Sequence, residues 1–153
     1  MLFAWLRPMF RLVVEAEIHP TEDPERVRQA VRNILPQLAP DVQTVGTTSV
    51  LKAESNDVSA LIRLHALLRR ERILDAARRS LFTGVSENNL EFGLNKQAAC
   101  SGRVSFCEPE APSPLGPIRF VVLCSDPSRL VEWLAPKTVH GKPVSEQSMP
   151  SFI

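Results

Sequence analysis

From Phe10 onward the chain alternates: Val14, Ala16 and Ile18 fall on one side of an extended segment, Glu15 and Glu17 on the other. That period of two predicts a strand buried on one face. His19-Pro20 ends it. Asp23 and Pro24 then supply a helix start, the carboxylate for free amides and the proline for the first helical position. Val27, Ala30, Val31, Ile34 and Leu35 recur at helical spacing as far as Pro36, so an amphipathic helix follows. Residues 41–55 are rich in Val and Thr around Gly46, the pattern of a hairpin or bulged strand. Asn56-Asp57 precede a long helical stretch. Its apolar stripe, Leu61, Leu64 and Leu68 and then Ile73, Ala77 and Leu81, shifts near Arg70-Glu71, so two abutting helices fit as well as one.

Gly84 and the polar residues 86–89 close that block, and EFGLNKQAACSGRVSFCEPE (91–110) reads as two strands joined around Ser101-Gly102. Four prolines and a glycine in 109–117 predict a stiff crossover. The apolar run GPIRFVVLC (116–124) predicts a strand, and Asp126-Pro127 open a last short helix stopped by Pro136. Residues 137–153 show no periodicity and are expected to drape over the surface or serve a neighbouring subunit. Adjacent strand pairs interleaved with helices predict a single α+β domain over 1–153, with a largely antiparallel sheet and helices packed on one face.

Composition narrows the class. With 44% hydrophobic and 23% charged residues the chain is neither disordered nor fibrous. No apolar stretch approaches the roughly 18–20 residues of a membrane span, the start being interrupted by Arg7, Pro8 and Arg11; no membrane partner is expected. MLFAWLRPMF lacks a basic leader and a small-residue cleavage site, so an extra strand or an upstream start is expected there rather than a secretory signal. Three cysteines, Cys100, Cys107 and Cys124, without a CxxC spacing point to a reduced, cytoplasmic setting.

Candidate chemistry is sparse. His19, His65 and His140 sit at a strand exit, in an amphipathic helix and in the tail, none beside a nucleophile motif. Cys100 and Cys107 lack ligand partners at metal spacing, Glu108 and Glu110 read as solvated loop residues, and no phosphate loop occurs. No catalytic residue, metal or cofactor is therefore expected. Charge carries more. The total is only +1, from 18 Lys and Arg against 17 Asp and Glu. Between Ala60 and Thr83, however, Arg63, Arg69, Arg70, Arg72, Arg78 and Arg79 face only Glu71 and Asp75, a local balance of +4. Guanidinium forks suit phosphate and carboxylate equally, so a phosphate-binding face and a solvated, ion-paired helix both fit. Asn95, Lys96 and Gln97 form a polar cluster at an expected strand centre or bulge, followed by Arg103.

The segments PTEDPERV (20–27), RERILDAARRSL (70–81), FGLNKQAA (92–99), GRVSFCE (102–108), SPLGPI (113–118) and WLAP (133–136) run in one order over residues 10–137. In them the chain resembles the small archaeal proteins catalogued as RNA-binding. Those proteins were once proposed as exosome-associated subunits, and their fold is similar to that of the large-subunit ribosomal protein L-five. The resemblance implies an α+β, L-five-like fold, a homodimer and an RNA partner in RNA processing or a ribosome-linked assembly, or else an adaptor in such a complex without direct RNA contact. It implies Arg72 and Arg78 on the helical block and Asn95, Lys96 and Gln97 on the sheet, with Arg103, as RNA-contacting positions, and the arginine-rich charge pattern adds Arg69 and Arg79 to them. With no Tyr and 6% aromatic residues, structured RNA read by shape is expected over single strands read by stacking. Residues 1–9 and 138–153 lie outside the recognisable motifs.

Overall fold

The protein is described by a computed structural model over residues 10–109 and 116–151. The expectations for the first nine residues, for Glu110 and for most of the proline-rich crossover fall outside that range. In chain order the elements are β1 (Phe10–Ile18), α1 (Pro24–Ile34), β2 (Asp41–Val45), β3 (Thr48–Ser55), a 3₁₀ turn (Val58–Leu61), α2 (Ile62–Arg70), α3 (Leu74–Thr83), β4 (Val85–Ser86) and β5 (Asn89–Asn95). They continue as α4 (Lys96–Cys100), β6 (Phe106–Cys107), β7 (Pro117–Cys124), α5 (Pro127–Leu134), β8 (Thr138–Val139) and β9 (Lys142–Pro143).

Seven strands form one sheet in the order β2-β3-β1-β7-β5-β4, with β6 also on β5, and every ladder is antiparallel. Alternation decides which face is covered. Phe10, Leu12, Val14, Ala16 and Ile18 of β1 are buried, as are Ile118, Phe120, Val122 and Cys124 of β7, and these meet the apolar stripes of α1, α2, α3 and α5. Phe92 of β5 stacks on Phe120 with ring centroids 4.7 Å apart, filling the centre of that layer. The opposite face stays open and carries Arg11, Glu15, Glu17, Lys52 and Glu54 around Val13 and Val121.

Local chemistry sets the helix starts as the sequence predicts. Asp23 accepts from the Glu25 amide with Pro24 at the first helical position, Asp57 accepts from Ser59, and Asp126 accepts from Arg129 ahead of α5. The long helical stretch is indeed two helices, broken after Arg70. Two expectations are corrected. Residues 96–100 are helix α4 rather than strand, because the Asn95 side chain accepts from the Ala98 amide and caps a helical turn. The tail does not simply drape: 138–143 form a β-hairpin, and Glu146 reaches back to α2.

Gly84, at the end of α3, shows how tightly β4 must approach β5. A Cβ there would lie 1.8 Å from the Glu91 carbonyl oxygen, the same oxygen-bearing residue whose amide donates to the Gly84 carbonyl at 3.0 Å. Backbone on backbone has no flexible end to yield. Gly84→Ala is expected to destabilise the fold by about 2 kcal/mol or more, read as a shifted urea midpoint at unchanged slope; a variant with the wild-type midpoint would show that the two strands separate freely.

Candidate nucleic-acid interface

The arginines of the helical block divide by what they touch. Arg69, on the last turn of α2, is a structural hub. Its Nε and Nη2 hold Glu146 at 2.9 and 2.6 Å, its Nη1 donates to the carbonyls of His65 and Leu134 at 2.8 and 2.9 Å, and Nη2 also reaches the Trp133 carbonyl at 3.3 Å. Five N–H groups thereby meet five acceptors, which exhausts a guanidinium. The pairing holds the Glu146 carboxyl below its usual range. Beside it His65 stacks on Trp133 at 4.7 Å, and burial, with Arg69 second, pushes its imidazole toward the neutral form. Arg78 forms a two-pronged pair with Glu132 of α5 at 2.7 and 2.9 Å, donates to the Ala135 carbonyl and lies over the Phe82 ring. Both residues staple helices to one another: Arg69 has every donor engaged, and Arg78 commits both terminal nitrogens to α5 and the residue after it.

The others point outward. Arg70, Arg72, Arg79 and Arg103 are exposed and, among the described residues, make no side-chain hydrogen bond or ion pair. Arg72 stands where α2 ends: the Ile73 amide donates back to Leu68 and the Arg72 amide to Arg69, a helix C-terminal motif that puts Arg72 in the left-handed region at φ 57°. Between Arg70 and Arg72, both carboxylate oxygens of Glu71 accept from the Val104 amide at 3.1 Å. That bond brings the residue after Arg103 onto the α2–α3 elbow, so three unpaired arginines flank one contact although they lie some thirty positions apart in sequence. Arg69 and Arg72 also line a cleft with Leu74, His140, Gly141, Lys142 and Pro143. His140 and Lys142 belong to the tail hairpin, where sequence periodicity gave no signal.

The polar cluster after β5 is placed differently from expectation. Asn95 is a helix cap. Lys96 is 3% exposed, and its Nζ bonds the Glu17 carbonyl at 2.7 Å and Glu22 Oε1 at 3.0 Å. A buried ammonium held by a carboxylate and a backbone carbonyl is a bolt between α4, the start of α1 and the end of β1, and it is not open to a phosphate in this arrangement. Gln97 is exposed and opens with Thr21, Asp23, Arg26 and Ser101 onto a separate cleft between α1 and α4. Burial raises the Cys107 thiol and pushes that of Cys124 up to about 11, so neither is an activated thiol. Among the described residues no three His, Cys, Asp or Glu side chains gather as a metal would need, and no helix is long and apolar enough to cross a membrane.

Removing the Lys96 ammonium would strand the Glu22 carboxylate and the Glu17 carbonyl inside the protein. Lys96→Met is expected to cost about 3–5 kcal/mol and to lower the thermal midpoint by on the order of 10 °C, whereas Gln97→Ala leaves it within about 0.5 kcal/mol of wild type. Thermal denaturation followed by circular dichroism distinguishes a bolt from a surface lysine.

Comparison with known proteins agrees with this architecture. A family model described as RNA binding matches residues 11–123, from β1 through β7. UPF0201 proteins of Aeropyrum pernix and Sulfurisphaera tokodaii are each 43% identical, over 145 and 143 residues; the matches cover 94% of this chain and 97% and 99% of theirs. The crystal structure of the UPF0201 protein from Methanococcus jannaschii superposes with a TM-score of 0.77 at 29% identity, covering 88% of this chain and 99% of that one. With a family pattern running through the whole sheet and relatives matched nearly end to end, the chain belongs to the archaeal UPF0201 family and matches the RNA-binding family model.

Proposed function

We propose that the protein is a non-enzymatic RNA-binding protein that grips the phosphate backbone of structured RNA from the α2–α3 elbow. The observation that carries this reading is the set of exposed, unpaired arginines, Arg70, Arg72 and Arg103, around the Glu71–Val104 contact, with Arg79 further along α3. The RNA-binding family match supports it. Arg69 and Arg78 serve it as scaffolding, Asn95 and Lys96 shape α4, and Gln97 offers an amide at the neighbouring cleft. Cytoplasmic RNA processing or ribosome-linked assembly is the setting in which such a protein would act, and the likeness to exosome-associated subunits and to the ribosomal protein L-five belongs to the same proposal. Affinity for total cellular RNA should fall steeply with salt, because each neutralised phosphate releases counterions. Arg72→Glu with Arg103→Glu should weaken binding at least tenfold, about 1.4 kcal/mol, and flatten the salt slope at an unchanged melting temperature; Arg78→Glu should act through stability instead. Salt-insensitive association, or full affinity in the double variant, would refute the reading.

A second reading, a homodimeric adaptor, is favoured by the open face of the sheet. There Val13 and Val121 pair across β1 and β7, and exposed Leu123 lies opposite Arg11, with the ion pairs Arg11–Glu54 and Arg119–Glu91 on either side. A patch that mixes apolar positions with both signs of charge is suited to meet a copy of itself. Light scattering should give a dimer that Val121→Glu converts to a monomer; a wild-type monomer at all concentrations would leave the elbow reading alone.

A further inference from the structure

We propose that the cleft between the α2–α3 elbow and the tail hairpin seats one phosphomonoester, the terminal phosphate of an RNA strand. This rests on the RNA-binding reading and adds a preference for strand ends to it.

The cleft has a volume of about 340 Å³, at the small end of the range for small-molecule sites, about 300–1,000 Å³. Arg69, Arg72, His140 and Lys142 line it with Leu74, Gly141 and Pro143, and no carboxylate does. Arg69 is neutralised by Glu146 and forms a fixed wall. Arg72 and Lys142 remain, two cationic side chains with no side-chain partner among the described residues, beside the equally unpartnered His140 imidazole. That balance matches a phosphomonoester, which carries close to two negative charges at neutral pH, better than an internal diester, which carries one and must also let the chain leave the cleft on both sides.

Backbone conformation adds an independent observation. Among the described residues only two non-glycine positions have positive φ, Arg72 at 57° and His140 at 54°, and both line this cleft. Each occupies a place that favours a different residue. Arg72 holds the helix-ending position where glycine is usual, and His140 is the first residue of the two-residue hairpin turn His140-Gly141, where both φ values are positive and asparagine or glycine is preferred. A cationic or titratable side chain at both strained positions of one cleft weakens the fold locally and places those groups around a concave opening. Leu74, the first residue of α3, also lines the cleft; the carboxylate in that first turn, Asp75, is outside the lining and accepts from the Thr138 hydroxyl.

The test uses the full chain and short RNAs of one sequence carrying a 5′-phosphate, a 3′-phosphate or hydroxyls at both ends, compared by fluorescence anisotropy at fixed ionic strength. One phosphorylated end should bind roughly tenfold more tightly than the hydroxyl form, the gain expected of one or two charge-assisted hydrogen bonds. Inorganic phosphate, added at constant ionic strength, should erase the difference. Arg72→Gly and His140→Asn should abolish the preference while melting at or above the wild-type temperature, because each relieves strain, so loss of binding cannot be loss of fold. Equal affinity for all three RNAs, or a preference that survives in both variants, overturns the terminal-phosphate seat and leaves the RNA-binding reading standing. Failure of every RNA to bind overturns both.

Discussion

Strand β1 can bury only one of its faces, and most of the molecule is arranged around that constraint. Its even-numbered residues from Phe10 to Ile18 are buried beneath helices, while its odd-numbered ones lie beside β3 and β7 on the uncovered side. Because β1 is paired on both sides, to β3 and to β7, a slip of one residue would turn its whole apolar set to water and break register with both neighbours. The helices then have one place to go, and they reach it by closing on the same layer. Their polar faces are left outward, which is why the arginines of α2 and α3 lie on the side of the molecule away from the sheet.

Once that layer is closed, charge is sorted by reach. The guanidinium groups of Arg69 and Arg78 extend to carboxylates and carbonyls at the far end of α5 and in the tail, fastening elements distant in sequence. Lys96 does the same between α4, the end of β1 and the start of α1, with Glu17 and Glu22. These are the pairs that are partly or wholly desolvated, and they hold particular elements together more than they raise total stability. What is left unpaired around the elbow is a minority of the cations, yet it is the part a polyanion would meet. A net charge of +1 on the whole chain conceals this division, since it counts a buried bolt and a free guanidinium alike.

Much of the fold was legible in the sequence because its signals are local. Period-two alternation marks β1 and an apolar run marks β7, the Asp-Pro pairs mark the starts of α1 and α5, and the shift of the apolar stripe near Arg70 marks the break between α2 and α3. Helix α4 was not legible: five residues give too short a window for periodicity, and only the cap made by Asn95 distinguishes them from a continuing strand. The candidate site was half legible. A count of arginines locates the elbow, but it cannot tell Arg69 and Arg78 from Arg70 and Arg72, because their partners, Glu146 and Glu132, lie 77 and 54 residues away. Lys96 looked like a surface cation for the same reason. His140 and Lys142 belong to a segment without periodicity, and their place beside Arg72 depends wholly on tertiary packing.

The tail hairpin has two-residue strands closed by the Val144 amide on the Lys137 carbonyl, and the segment is tied to the helices through the Glu146–Arg69 pair and the Thr138 hydroxyl on Asp75. So few anchors give it a lower free energy of local opening than the sheet. One wall of the cleft therefore exists only in the docked fraction of molecules. Anything held between the hairpin and the elbow binds that fraction alone, so its apparent affinity is the intrinsic one scaled by the docked population, and its binding draws the hairpin shut. The segment beyond α5 thus acts as an adjustable weight on the cleft: a change anywhere in it that loosens docking would be felt as weaker binding, without any contact to the bound group being altered.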